Sequence, residues 1–167
     1  PFYHNYFADD FKAIDPKYGT IQDYLALIRD LHKRGMKFYM DMETQYVTQG
    51  LYGSVDGVGD PQSKYSDYIL YDDSAHTQPS TIIFELKGLK GYDGVYKKIT
   101  TVNLNSPKVQ EYNYHLFKFW MDPNGDGRFE DGVDGFRLDH MMDNLDNKPA
   151  LPHLYNTFWN PMFAKLR

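Results

Sequence analysis

The sequence predicts an α/β fold, a parallel sheet under helical cover, and three observations carry that expectation. Apolar residues recur at helical spacing in three stretches, over about residues 20–34, from Ser106 onward, and over about 151–166. Two short apolar runs, 36–42 and 133–139, each follow one of these stretches. Glycine and turn-forming residues separate helix from strand, so the order helix, strand, helix, strand, helix reads as repeated αβ units.

Taken in order, Thr20-Ile21-Gln22-Asp23 has capping-box spacing, with Asp in place of Glu or Gln, and Ile21, Tyr24, Leu25, Ile28, Leu31 and His32 recur at helical intervals. Gly35 stops this helix, because glycine enters the left-handed region at low cost. The run 36–42 is then a buried strand ending in an acid and a methionine. Residues 44–104 change character: glycine, tyrosine and polar residues dominate and periodicity is weak over a length too great for a simple loop. We expect an irregular subdomain inserted after the strand. Ser106-Pro107 opens the second helix, serine as N-cap and proline in the first turn, where its missing N–H costs nothing. Val109, Tyr112, Leu116, Phe117 and Trp120 give that helix one apolar face. A turn-rich loop, 122–131, leads into the second strand, and a third, weaker helix covers 151–166.

Composition excludes several functions. Net charge is −5 with no block of Lys or Arg, so the electrostatic footprint of a nucleic-acid binder is missing. No apolar run approaches membrane-spanning length, so no membrane partner is expected. With no cysteine there is neither a disulfide nor a thiolate metal site. Tyrosine is abundant, at 15 residues; its flat apolar face with a polar edge suits stacking on sugars, although most of the 15 read as ordinary core and rim aromatics. The chain opens Pro1-Phe2-Tyr3-His4 without Met or leader and ends as abruptly, which reads as a piece of a longer protein.

The chemistry concentrates in Gly132-Val133-Asp134-Gly135-Phe136-Arg137-Leu138-Asp139. Alternate strand residues share a face, so Arg137 and Asp139 point the same way with Cα atoms roughly 6.6 Å apart. Ions desolvated in a parallel strand cost several kcal/mol unless well paired, so the pair either serves chemistry or fixes register. Read as chemistry, the guanidinium favours an ionised Asp139, as a nucleophilic carboxylate requires. Asp41 lies at the end of the preceding strand, so two acids face one pocket.

These stretches, in this order, resemble the α-amylase family of retaining glycoside hydrolases, which are built on a (β/α)8 TIM barrel with an irregular inserted B domain. GFRLD at 135–139 is similar to the family's strand-4 motif G-F-R-x-D, which implies Asp139 as catalytic nucleophile and Arg137 as its partner. FYMDM at 38–42 is similar to the strand-3 motif D-x-V-x-N-H and places Asp41 at its aspartate. YHNYFADDFKAIDPKYGT at 3–20 resembles the loop after strand 2, which implies Tyr6 as a stacking platform under the sugar, with His4 beside it. Gln45-Tyr46 stands where the family writes N-H, so Tyr46 replaces a sugar-binding histidine and Gln45 replaces an asparagine that ligates calcium in many members. His140 and Asp143, after the nucleophile, join the expected sugar contacts. The resemblance divides the chain into barrel portions at 1–43 and 105–167 with the B domain at 44–104.

A second constellation, Asp122 to Asp131, sets oxygen donors Asp122, Asn124 and Asp126 at alternate positions before a glycine, with the Arg128 carbonyl and Glu130 following. That suits a structural calcium ion; a solvated acidic turn is the other reading. Val133 at the twelfth position excludes a true EF-hand. His32, His76, His115 and His153 read as histidines without function, 87–98 as a solvated face, and Asp56-Gly57 and Gly59-Asp60 as turns. The resemblance places the general acid and a third carboxylate beyond Arg167. The function expected is retaining hydrolysis of α-glucosidic bonds in starch-like glucans or maltooligosaccharides, in company with the rest of the barrel. A non-catalytic glucan-binding relative, a glycosyl transferase of the family, and a calcium-binding module are the alternatives.

Overall fold

A computed structural model describes residues 6–8, 10–48, 65–80, 89–145 and 148–167. His4 and the turns at Asp56-Gly57 and Gly59-Asp60 lie outside the described residues.

Thr20 caps α1 (Ile21–Lys33) reciprocally: its hydroxyl accepts the Asp23 N–H at 3.2 Å, and its own N–H donates to Asp23 Oδ2 at 2.8 Å. At the other end Gly35 adopts φ +71°, and Gly35 N and Met36 N donate to the His32 and Leu31 carbonyls, the paired closure that the left-handed residue permits. The chain then enters β1 (Tyr39–Met42), which pairs in parallel with β6 (Gly135–Leu138) in the register Tyr39↔Gly135, Met40↔Phe136, Asp41↔Arg137, Met42↔Leu138. Asp134 N to Phe38 O and Asp139 N to Met42 O extend this ladder at both ends, at 2.9 and 3.0 Å.

The period-2 alternation puts Met40, Met42, Phe136 and Leu138 on one face. That face packs on the helices: Phe136 meets Phe117 edge to face at 4.6 Å, and Tyr24 of α1 meets Trp120 at 5.4 Å. Phe117 and Trp120 are fully buried in α2 (Pro107–Met121), as are Val109 and Leu116. Trp120 also donates its Nε1–H to the Phe11 carbonyl at 3.0 Å, which ties the 6–18 loop to the helix. Truncating such a side chain to alanine costs about 3–5 kcal/mol.

The expectation is a strand buried on both faces; the described residues cover one of them. The opposite face, carrying Tyr39, Asp41 and Arg137, is exposed, because the two-stranded sheet has helices on one side only among the described residues. Among the described residues Arg137 and Asp41 are therefore about half exposed, at 56% and 50%.

Ser106 sits at the N-cap of α2, yet its hydroxyl donates to Asp67 Oδ2 at 2.9 Å instead of accepting from the helix. Lys108 reaches the same carboxylate at 3.1 Å, so the start of α2 is fastened to the 65–80 segment. After α2 the loop 122–131 returns so closely that a Cβ on Gly132 would sit 2.3 Å from the Met121 carbonyl oxygen and 2.4 Å from that of Trp120, which only glycine allows. The third helical stretch is continuous over 154–166, with a π turn (Tyr155–Trp159) running into α3 (Asn160–Leu166). Pro161 lacks the N–H that would reach Thr157 O, and that carbonyl accepts from Gln110 Nε2 at 3.4 Å.

Between the strands of the parallel pair, β2 (Tyr46–Thr48) runs antiparallel to β5 (Ile99–Thr101), and β3 (Leu89–Lys90) pairs with β4 (Tyr96–Lys97). Bridges Ile69↔Val102 and Tyr71↔Pro79 add the 65–80 segment. Every residue of β2 and β5 is buried, and Tyr46, Val47, Ile69, Ile99 and Val102 belong to the same core as the helices. The β3–β4 hairpin is tied to the 6–18 loop through Tyr92, whose hydroxyl donates to Asp15 and whose ring lies 3.5 Å under Lys17 Nζ.

Candidate functional site

The carboxyl ends of β1 and β6 set Asp41 and Asp139 side by side, and Arg137 joins them. Its Nη1 donates to Asp41 Oδ1 at 3.0 Å and Oδ2 at 3.3 Å and pairs with Asp139 Oδ1 at 3.1 Å. The Tyr6 hydroxyl completes the network, donating to Asp41 Oδ2 at 3.1 Å with Arg137 Nη1 at 3.2 Å from its oxygen. Burial and the hydrogen bond to Asp41 raise the Tyr6 hydroxyl above its ordinary pKa, and the carboxylates, Asp41 first, raise that of Arg137. Asp139 keeps 25% of its side-chain surface exposed. Arg137 and Asp139 thus face each other and open to solvent.

Behind Asp139 lies a layer that holds the backbone. Gln45 Nε2 donates to the carbonyls of Asp139 and His140, both at 2.7 Å, while its Oε1 accepts the Thr44 N–H at 2.8 Å. The position read from sequence as a changed calcium ligand is occupied here by a bracket for the strand end. Tyr46, expected to contact sugar, is 1% exposed and packs edge-on to Phe7 and to the His140 imidazole at 5.8 Å. It supports the site from within the core instead of lining it. Asp143 is likewise turned to structure: its Oδ1 accepts the Tyr155 N–H at 3.0 Å and its carbonyl the Leu154 N–H at 2.7 Å, fixing the entry to the π turn.

Glu43 escaped the sequence reading, although it stands at the valine of D-x-V-x-N-H. It is 3% exposed, accepts the Gln45 N–H at Oε1 at 2.8 Å, and sets Oε2 2.9 Å from His140 Nδ1. Among the described residues, Glu43, Asp139 and His140 form the set of three acids or histidines whose ligand atoms lie within 4.8 Å of one another. A cleft of about 500 Å³ adjoins. Consecutive residues 40–43 line it, so it follows the edge of β1; it shares Tyr6, Asp41 and Glu43 with the site, while Asp139 and Arg137 are not in its wall.

The 122–131 loop is closed by its own side chains. Asp122 accepts from Asp126 N at 3.1 Å and Gly127 N at 3.0 Å, Asn124 Oδ1 from Asp126 N at 2.8 Å, and Asp126 Oδ1 from Arg128 N at 2.8 Å. Glu130 is turned outward beside Arg128, at 3.8 Å. Asp131, missed as a candidate, has a buried Oδ1 with no hydrogen-bond partner; desolvation, then the nearby acids, raise its pKa. An all-oxygen donor set with an orphaned carboxylate oxygen fits a hard cation, with Asp131 a better fit than Glu130. His32, read as functionless, bonds Asp134 Oδ2 at 2.7 Å and the Glu130 carbonyl at 2.9 Å, anchoring this loop to α1. Among the described residues no helix is long and apolar enough to cross a membrane.

A family model described as alpha amylase, catalytic domain, matches residues 1–158. Alpha-amylase 3 of Dictyoglomus thermophilum is 29% identical over 85% of this chain and 28% of its own length. Oligo-1,6-glucosidase of Parageobacillus thermoglucosidasius is 27% identical over 89% of this chain and 27% of its own. A human amino acid transporter heavy chain is 24% identical over 88% of this chain and 24% of its own. Among solved structures, an alpha-amylase from H. orenii superposes with a TM-score of 0.64 at 27% identity, covering 98% of this chain and 31% of that one. The chain spans about a quarter of the length of the curated relatives it matches.

Proposed function

The chain belongs to the alpha-amylase catalytic-domain family, part of a (β/α)8 barrel, and on that premise we propose that it carries the nucleophile side of a retaining centre cleaving α-glucosidic bonds in starch-like glucans or maltooligosaccharides. One observation carries the reading: the solvent-open Asp139 carboxylate, at a parallel strand end, held at one oxygen by Arg137 at 3.1 Å. In the first step a carboxylate oxygen of Asp139 bonds to the anomeric carbon as the glycosidic C–O bond breaks and the departing oxygen takes a proton. In the second, water cleaves the glycosyl ester and frees Asp139. Arg137 and Asp41 orient the nucleophile, and Tyr6, hydrogen-bonded to both, offers its ring face to the sugar.

Retaining chemistry needs a general acid about 5–5.5 Å from the nucleophile. Asp41 accepts from Arg137 and Tyr6, and Glu43 is buried against His140, so neither takes that role. We assign it, with the third carboxylate, to a part of the barrel beyond these residues, and residues 44–104 to the inserted domain. The 122–131 loop is assigned a structural calcium ion held by Asp122, Asn124, Asp126, the Arg128 carbonyl and Asp131; bound there it would neutralise the acids and enter no catalytic step.

Relatives named trehalose synthase favour a second reading, glycosyl transfer through the same intermediate with a sugar hydroxyl in place of water. Proton NMR of fresh digests of a maltooligosaccharide by the full-length protein separates the outcomes. The α-anomer released first, or a new α-linked product, supports retention at Asp139; the β-anomer released first overturns it.

A further inference from the structure

We infer that His140, clamped by the buried Glu43, is a positioning residue for the Asp139 carboxylate, an inference that rests on the reading of Asp139 as nucleophile. Glu43 stands where the strand-3 motif has valine, and a carboxylate buried at such a place forfeits hydration that only hydrogen bonds replace. Both oxygens have such partners: Oε1 accepts the Gln45 N–H at 2.8 Å, and Oε2 lies 2.9 Å from His140 Nδ1. We take Glu43 as the carboxylate; it then only accepts, and the hydrogen of this contact sits on Nδ1.

The same Nδ1 is 3.7 Å from Asp139 Oδ2, the oxygen opposite the one paired with Arg137. The two oxygens of the nucleophile are therefore bounded by different groups, a guanidinium at Oδ1 and the N–H edge of an imidazole at Oδ2. The backbone is arranged to bring that imidazole there. His140 adopts φ +49°, a region non-glycine residues rarely enter, and Gln45 pins the carbonyls of Asp139 and His140, one on each side of the His140 Cα. Tyr46 braces the ring edge-on. The work of the Glu43–His140 pair is to fix the rotamer of Asp139, so that the carboxylate meets the anomeric carbon in line and is released in the same orientation.

The test compares H140G and H140N in the full-length protein. Glycine and asparagine both accept the positive φ, so the backbone is spared; glycine removes the imidazole, whereas asparagine keeps a donor near the place of Nδ1. The readouts are kcat, KM and the rate at which a mechanism-based α-glucosyl reagent labels Asp139, followed by peptide mass spectrometry. H140G should slow labelling by about 10–100-fold, with the loss in kcat and KM within about threefold, as displacement of a reacting group by a fraction of an ångström implies. H140N should recover most of the loss, and E43A/H140G should be no slower than H140G, since the two act as one unit. Labelling of Asp139 at the wild-type rate in H140G overturns this inference and leaves the proposed function standing. Wild-type protein that turns over substrate without labelling at Asp139 overturns both. Labelling that a chelator abolishes in the presence of calcium, and zinc restores, would make the three residues a metal site and overturn the positioning role.

Discussion

Arg137 and Asp41 are register partners across the parallel pair, and the guanidinium donates to both oxygens of the carboxylate, at 3.0 and 3.3 Å. Among the described residues the pair is half exposed, and exposed ion pairs are worth about 0–1 kcal/mol. Its value lies in geometry: one nitrogen fixes Asp41, Tyr6 and Asp139 together. Lysine keeps the charge but is a point donor on a flexible stem, without the rigid planar guanidinium that fixes the donor's place between Asp41, Tyr6 and Asp139. Arg137→Lys is expected to lower kcat/KM by about 100-fold, with a melting temperature within a few degrees of wild type, as for other exposed substitutions. Steady-state kinetics with a melting curve checks it.

Gln45 is buried, and each of its amide groups is used. Gln45→Leu fills the same space but leaves the carbonyls of Asp139 and His140 without their donor. Urea titration should show a loss of about 1–3 kcal/mol, and kcat should fall with it because the strand end carrying the nucleophile is released.

Asp134 gives the fold an acid-sensitive joint. Desolvation raises its carboxyl, but Lys37 Nζ at 2.7 Å, the Phe38 N–H at 2.8 Å and His32 outweigh this and hold it at about 2, against an ordinary 3.8. A depressed folded-state value contributes stability that is complete above the unfolded value and disappears as pH falls through the folded one. The window is therefore about pH 4 down to pH 2, and the contribution about 1–2 kcal/mol after solvent screening. Melting curves across that window should fall more steeply for wild type than for Asp134→Asn; parallel curves would contradict the assignment.

Calcium should bind the 122–131 loop and raise the melting temperature, with an Asp126→Ala variant losing both effects. Titration calorimetry with calcium chloride reads this directly. Absence of heat from wild type would leave the loop as the hydrogen-bonded turn its Asx contacts already make.

The parts legible in the sequence were those set by local chemistry. The capping box at Thr20, the glycine stop at Gly35 and the motif GFRLD each declare themselves within a few residues. Tertiary partners were hidden. Nothing near Ser106 indicates that its hydroxyl goes to Asp67, 39 positions away, and nothing near Tyr46 indicates that it is enclosed by Phe7 and His140. What covers the Arg137 face is equally hidden, because the burial of a strand depends on what lies over each side, not on its own residues. Glu43 did leave a trace, an acid at a valine position, and its meaning emerged only with His140 beside it.

The identity of the atom that attacks the sugar is open to direct measurement. Mass spectrometry of the full-length protein after reaction with a mechanism-based α-glucosyl reagent should find one added glycosyl unit, on the peptide containing Asp139, and none in Asp139→Asn. A glycosyl adduct on another residue, or continued turnover by Asp139→Asn, would contradict it.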